Sequence, residues 1–190
     1  MKHLQIIKYK LSSQPTFGIN DVKKLLPNAS TAYIHLLLHN LIKTKRIFRI
    51  TRGIYTFHDE ITVCTFAFSP SYLGLQQALS IHNLWEQETN PVILTTRKMR
   101  SGIRKFDGNN YVVRRITRKM FFGYELTKYS GVWVSVSDVE KTLIDMIYYK
   151  QYMSAELKEE FLKKINKTKL KSYLKCVSPR LQKKVLNFLK

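Results

Sequence analysis

Five cations crowd into ten residues of this chain: Lys43, Lys45, Arg46, Arg49 and Arg52, with Thr51 between the last two. No acid interrupts them. Such a density suits a polyanion, because each lysine or arginine can neutralise one phosphate of a nucleic acid. Just upstream, Ser30, Thr31, Tyr33 and His39 offer hydroxyl, phenol and imidazole groups that bond phosphates or base edges. The chemistry that these ten side chains suggest is recognition of double-stranded DNA.

Other constellations are weaker. Asp138, Glu140 and Asp145 form a carboxylate group. A nuclease of the restriction-endonuclease type needs an acid, then an acid and a lysine separated by one residue. Here Glu140 and Lys141 are adjacent, so the spacing fails. Ser137-Asp138-Val139-Glu140 instead has capping-box spacing, with Ser137 accepting from the Glu140 amide and Glu140 reaching back. Asp138 then favours the helix dipole, and a structural role is the stronger reading. His35 and His39 stand at i, i+4, but Leu36 replaces the glutamate of the zinc-protease pattern and no third ligand is evident. His82 sits beside a leucine-rich face and reads as a core-edge residue. No glycine-rich phosphate loop, nucleophile elbow or Cys/His pair appears. The expectation is a non-enzymatic protein with no catalytic residue, metal or cofactor.

The elements that must position the ten residues follow from periodicity. Ile34, Leu37, Leu38 and Leu41 recur at i, i+3, i+4 and i+7, one apolar face of a helix. That face inward leaves Ala29, Ala32, Tyr33, Leu36, His39, Asn40 and Lys43 outward. Arg46-Ile47-Phe48-Arg49-Ile50 and Ile54-Tyr55-Thr56-Phe57 suit strands, and Gly53 supplies the positive φ of a tight hairpin. Asn20 to Leu26, stopped by Pro27, fits a preceding short helix, and Leu4, Ile6, Ile7 and Leu11 mark another beneath it. Helix, turn, helix and a cationic ribbon outline a winged helix over residues 1–60. The second helix enters a groove N-terminus first, while the ribbon grips flanking phosphates and Arg52 reaches for the minor groove. Protein docking is the rival use of this shape; the cationic ribbon favours DNA.

The whole chain has the same bias. It holds 190 residues, 44% hydrophobic, with 33 basic and 13 acidic side chains, a formal charge of +20 and a pI near 10.0. That is a globular composition with a polyanion-seeking field. Residues 1–57 carry +9, residues 58–150 only +3 and residues 151–190 +8. Cys64 and Cys176 sit in no metal spacing and read as buried thiols in a reducing compartment. No signal peptide or membrane-spanning run is evident, so a cytoplasmic location is expected.

Residues 61–150 form the second expected domain. An apolar run from Ile61 to Phe68 stops at Ser69-Pro70. A helix is expected from Ser71 to Asn83, then a strand Val92–Thr96 and a polar loop from Arg97 to Gly102. Strands follow at Tyr111–Ile116, Phe121–Leu126 and Val132–Val136, separated by turns at Gly108-Asn109, Lys119 and Ser130-Gly131. A small, mostly antiparallel sheet backed by helices on one side is the expectation. A helix with Val139, Leu143, Met146 and Ile147 inward comes next. The tail, 151–190, reads as three basic helices started by Ser154, Thr168 and Ser178-Pro179 and packed on the second domain. The fold class is therefore α+β.

These residues also resemble a family. Thr51-Arg52-Gly53-Ile54-Tyr55, the run Tyr72-Leu73-Gly74-Leu75-Gln76-Gln77-Ala78-Leu79, Ile81 to Leu84, Val92 to Thr96, Phe121-Phe122-Gly123 and Val136 to Asp145 are similar, in order and spacing, to the AbiEi-type antitoxins. These are transcriptional regulators of abortive-infection toxin–antitoxin pairs. The resemblance spans most of residues 15–148. It implies a winged helix followed by an α/β antitoxin domain, binding to inverted repeats in its own promoter by two copies, and repression of its operon. It also implies a nucleotidyltransferase-like toxin, opposed without a stable complex. The rival readings are a stand-alone regulator, a nucleic-acid-processing enzyme using Asp138, and an RNA-binding or scaffold protein using the tail.

Overall fold

The computed structural model describes residues 2–86, 89–129 and 131–189. Ser130, expected to open a turn with Gly131, lies outside them. The fold is α+β.

The first unit runs α1 (Lys2–Leu11), β1 (Phe17–Gly18), α2 (Ile19–Leu25), α3 (Thr31–Lys43), β2 (Phe48–Thr51) and β3 (Ile54–Thr56). Its antiparallel sheet has the order β1-β3-β2. Ile7, Leu11, Val22, Ile34, Leu38, Ile47 and Tyr55 close the core. Ile6, expected inward with Ile7, is exposed: Leu4, Ile7 and Leu11 set the buried stripe, and Ile6 falls to one side of it. Strand β1 escaped the sequence because it is two residues long; Phe17 pairs with Tyr55.

Local chemistry sets the boundaries of α3. Ser30 Oγ accepts from the Tyr33 amide at 3.1 Å. At the other end the Lys45 and Arg46 amides donate to the carbonyls of Ile42 and Leu41, at 2.9 and 2.8 Å, with Lys45 at φ +51°. This is a Schellman stop built on lysine rather than glycine. Arg52 and Gly53 then turn the hairpin, Gly53 at φ +79° with open space where a Cβ would lie.

The second unit begins with a 3-10 helix, Ile61–Phe68, and a cis Ser69–Pro70 bond. There follow β4 (Ser71–Gly74), α4 (Gln76–Ile81), β5 (Val92–Thr95), β6 (Gly102–Phe106) and β7 (Asn109–Arg115). After a 3-10 turn at Arg118–Met120 come β8 (Tyr124–Tyr129), β9 (Val132–Ser137), α5 (Val139–Tyr148), α6 (Ala155–Lys164), α7 (Lys167–Leu174) and α8 (Pro179–Leu189). The six-stranded sheet has the order β6-β7-β5-β4-β9-β8. Three of the five pairings are antiparallel, as expected for most of the sheet, while β4·β9 and β5·β7 are parallel, so the sheet is mixed.

Several expectations need correction. The helix placed over Ser71–Asn83 is a strand and then a short helix. Tyr72 and Leu73 are both buried, on opposite faces of the sheet, so their apolar run has no helical period to read. A Cβ on Gly74 would come within 2.8 Å of Leu94, and Leu75 turns the chain at φ +53°. The strand placed at Phe121–Leu126 starts only at Tyr124, because Gly123 bends at φ +68° against Lys141. Strand β6 begins at Gly102, where the expected polar loop ends, in a stretch with no expected element; it is a sheet edge, largely exposed and cationic. The cap of α5 is Asp138, not Ser137: its Oδ1 accepts from the Lys141 amide at 2.8 Å. Ser137 Oγ lies 2.8 Å from Thr142 Oγ1, and Glu140 Oε1 accepts from the Asn166 amide at 2.7 Å. Asn166, not Thr168, caps α7. Cys176, expected buried, is exposed; Cys64 is buried.

Helices α6 to α8 complete one core. Leu157, Phe161, Leu170, Leu174, Leu181 and Val185 pack with Tyr72, Leu94 and Leu143 on one face of the sheet. The opposite face carries Phe106, Tyr111, Val113, Val134 and Val136 under the 3-10 helix residues Val63, Cys64, Ala67 and Phe68. Among the described residues no helix is long and apolar enough to cross a membrane.

Helix α5 buries an ion pair. The Lys141 ammonium and the Asp145 carboxylate are both fully excluded from solvent. The Tyr72 hydroxyl donates to Asp145 Oδ2 at 2.8 Å, and the Tyr72 and Phe122 rings lie 5.5 and 5.0 Å from Lys141 Nζ. Burial pushes the Asp145 carboxyl up and the Lys141 ammonium down, each opposed by its partner. Truncating one partner strands the other charge, so Asp145→Ala should cost about 3–5 kcal/mol in denaturant unfolding. The double replacement Lys141→Met/Asp145→Leu should cost far less than the single one. A double variant as unstable as the single would show that the charges, not the stranding of one of them, hold α5.

Burial also pushes the Cys64 thiol up from 9.0 to about 12, opposed in part by the neighbouring Tyr111 hydroxyl. It raises the Tyr72 and Tyr111 hydroxyls likewise. A group whose folded pKa is raised contributes stability that is complete below the unfolded value and lost above it. Unfolding free energy should therefore fall from pH 9 to about 12, measured by urea titration. Cys64→Ala should flatten part of that fall; an equally steep decline would remove the thiol's share.

Candidate nucleic-acid interface

The ten residues singled out by type lie on three pieces of the first unit: the start of α3, its end, and the hairpin. Ser30 caps the helix, and Thr31 follows it on the exposed side. Tyr33 is 41% exposed, and its hydroxyl lies 2.8 Å from His3 Nδ1 on α1. That contact fixes the phenol at the mouth of the helix. Leu36, His39, Asn40 and Lys43 continue the exposed face, as the helical period requires. His35 is exposed too, and among the described residues no group of three His, Cys, Asp or Glu side chains is placed to hold a metal.

The hairpin has two unlike sides. Phe48 and Ile50 alternate with Arg49, so the apolar pair shares one face and the arginine takes the other. Ile50 is buried in the second unit's core, Phe48 lies 5.8 Å from the Phe106 ring, and the Tyr111 hydroxyl donates to the Ile50 carbonyl at 3.5 Å. The ribbon's back is therefore cemented to the sheet. Its outer side and tip remain free: Arg46, Arg49 and Arg52 are exposed, and among the described residues none of them forms an ion pair. Arg49 Nε donates to the Thr51 carbonyl at 3.4 Å, which holds the guanidinium along the strand. Thr51 is half-buried at the turn. Lys45 differs from the other cations in facing Asp107 at 3.5 Å, though still 77% exposed.

Sequence reasoning found the cations but missed the seam behind them. The signal was present: Phe48-Arg49-Ile50 has the period of two that demands cover on one side. What covers it, Phe106 and Tyr111, lies more than fifty residues away and leaves no local trace.

Asp138, Glu140 and Asp145, the carboxylate group of the second unit, are all engaged. Asp138 Oδ2 accepts from the Tyr173 hydroxyl at 2.7 Å and from Lys169 Nζ at 3.0 Å. Glu140 Oε2 lies 3.7 Å from the same ammonium, and Asp145 holds Lys141 and Tyr72. They act as clasps between α5, α7 and β4.

No family model matches the chain, and no curated protein matches it in sequence. Its fold is similar to that of the RV2827C protein from Mycobacterium tuberculosis, known from a crystal structure. The TM-score is 0.63 over 100% of this chain and 76% of that one, with 10% sequence identity. At that identity the likeness speaks for the fold, and it extends over both units.

Removing the Ser30 hydroxyl leaves a helix amide without its acceptor, so Ser30→Ala should lower stability by about 1 kcal/mol. Hydrogen exchange should localise the loss to the first turn of α3. Unaltered exchange at Tyr33 would show that the cap does not hold this end.

Proposed function

We propose that this protein is a DNA-binding antitoxin and autorepressor, in which the first unit is a winged helix. The single observation that carries the reading is the hairpin: its apolar back is sealed against the protein while Arg46, Arg49 and Arg52 project outward without acidic partners among the described residues. A cationic ribbon beside an exposed helix face suits the phosphates that flank a groove.

In this reading α3 enters the major groove with Ser30, Thr31 and Tyr33 foremost. His39 and Lys43 follow along the groove wall. Arg49 and Arg52 contact phosphates or the minor groove, and Lys45 and Arg46 bind the backbone at the helix end. An operator of inverted repeats takes two copies. The resemblance to AbiEi-type antitoxins extends this to repression of an antitoxin–toxin operon and to a nucleotidyltransferase-like toxin opposed without a stable complex. A stand-alone regulator would share the DNA chemistry but lack that neighbour. An adjacent reading frame of nucleotidyltransferase type distinguishes the two.

A second reading draws on Leu36, 58% exposed in the middle of the same helix face. A leucine there also suits docking to another protein. The two separate by salt: DNA binding releases counterions, whereas an apolar contact is nearly indifferent to them.

Arg49→Ala and Arg52→Ala should each lower the slope of log K against log salt by about one unit on duplex DNA from the upstream region. Both slopes equal to the parent's would move the footprint off the hairpin and sink the reading.

A further inference from the structure

Strands β5 and β7 both start at the end of the sheet where β4 finishes: Gly74 stands opposite Val92, and Val92 opposite Val112. Helix α4 lies across that end, with Ala78 in the core on one face of the sheet and Leu79 in the core on the other. A cavity of about 640 Å³ opens beside it, a volume in the range of small-molecule sites. Gln77 and Ser80 of α4 line it, as their three-residue spacing on a helix allows. Glu60, Ile61 and Thr62, where the chain passes from the first unit into the second, line it too. Asn90, Asn109, Asn110 and Tyr129 contribute further polar groups.

Local hydrogen bonds and one turn fix these positions. Asp107 and Gly108, at φ +42° and +86°, make the two-residue turn that sets Asn109 opposite Phe106. The Val112 amide donates to the Pro91 carbonyl at 2.8 Å, which ties the segment after Asn90 to β7. Glu60 Oε1 accepts from the Thr62 amide at 3.2 Å and from its hydroxyl at 3.3 Å. The second oxygen of Glu60 has no partner among the described residues.

Gln77 is the telling residue. It is only 6% exposed, yet its carboxamide bonds to nothing among the described residues. Buried polar groups are almost always paired, so this wall holds donors and an acceptor for something from outside. The charge of the cavity narrows what that is. None of the described lysines and arginines lines it, and Glu60 is its one charged side chain among the described residues. In a chain of formal charge +20, this is a place without attraction for phosphate.

What remains is hydrogen bonding of a particular kind. Each carboxamide sets an acceptor beside an NH₂ donor in one plane, the complement of a nucleobase edge. The free oxygen of Glu60 suits the amino or imino N–H groups of a base, and the Ser80 hydroxyl suits a sugar. Tyr129 offers an aromatic surface. We infer that this cavity binds an uncharged nucleoside, its base read by Gln77, Asn109, Asn110 and Glu60. The site lies outside the candidate DNA interface, and the assignment stands whether or not the first unit binds DNA.

The test titrates the full chain with adenosine, guanosine, cytidine and uridine, and with their 5′-monophosphates, following the thermal unfolding midpoint. At least one nucleoside should raise the midpoint saturably, and its monophosphate should bind more weakly. Gln77→Met should weaken that nucleoside by about tenfold, the worth of one or two hydrogen bonds. Asn110→Ala, at an exposed position, should weaken it several-fold and guards against a folding defect in the first variant. Unmoved midpoints with all four nucleosides overturn the site, as does a shift that both variants keep in full. A monophosphate that binds more tightly than its nucleoside overturns the uncharged class.

Discussion

The second unit is organised around a lysine that has no water. Lys141 Nζ is enclosed by Asp145 and the Tyr72 and Phe122 rings, and the backbone at Gly123 packs against the base of the same side chain. Removing two charges from solvent costs several kcal/mol per ion, and the cost is recovered only with good geometry and further hydrogen bonds. The neighbourhood supplies them. Tyr72 on β4 donates to the carboxylate, and Asp138 caps the helix turn that carries the lysine. Gly123 is pressed so close that a Cβ there would meet Lys141 at 2.8 Å. Much of what looks arbitrary in the sequence around residues 121–145 serves this one enclosure.

From that node, polar contacts run outward into the tail. Asp138 holds Tyr173 and Lys169, and Glu140 holds the start of α7. Burial, together with the bond to Asp138, pushes the Tyr173 hydroxyl up to about 12. The basic helices thus present carboxylate-facing residues inward and most of their lysines outward, as amphipathic surface helices do. A different, apolar constraint joins the first unit to the sheet, through Phe48, Ile50, Phe106 and Tyr111. It leaves the hairpin a single free side, which is the cationic one. On the proposed function, this fixes the angle between the exposed face of α3 and the body of the protein.

Legibility in the sequence followed the range of the interactions. Helix α3 and its hairpin were readable because their signals are local: an apolar stripe, a serine cap and a glycine at the turn. Strand β5 and the body of α5 were readable for the same reason. The strand at Ser71–Gly74 was not, because a segment covered on both faces shows neither period. Edge strand β6 was hidden by its polarity. The cap of α5 was misplaced by one residue, since Ser137 and Asp138 are both good cap residues and only the fold assigns Ser137 to Thr142. Helix ends were harder still. Lys45, Asn83 and Lys150 take the left-handed position that usually advertises itself as glycine. Of the candidate interface, the cations were visible and the surface behind them was not.

The order in which this chain leaves the ribosome carries its own consequence. The α1–β3 unit makes its sheet and core from sequence neighbours and can close early. The helix-side core of the second unit cannot, because Leu181 and Val185 belong to it and follow Tyr72 by more than a hundred residues. Until they emerge, the apolar face around Tyr72, Leu94 and Leu143 stays open to solvent and to other chains. A message truncated near residue 150 therefore leaves that apolar face uncovered and prone to aggregation, and α6, α7 and α8 act as the stitch that closes it.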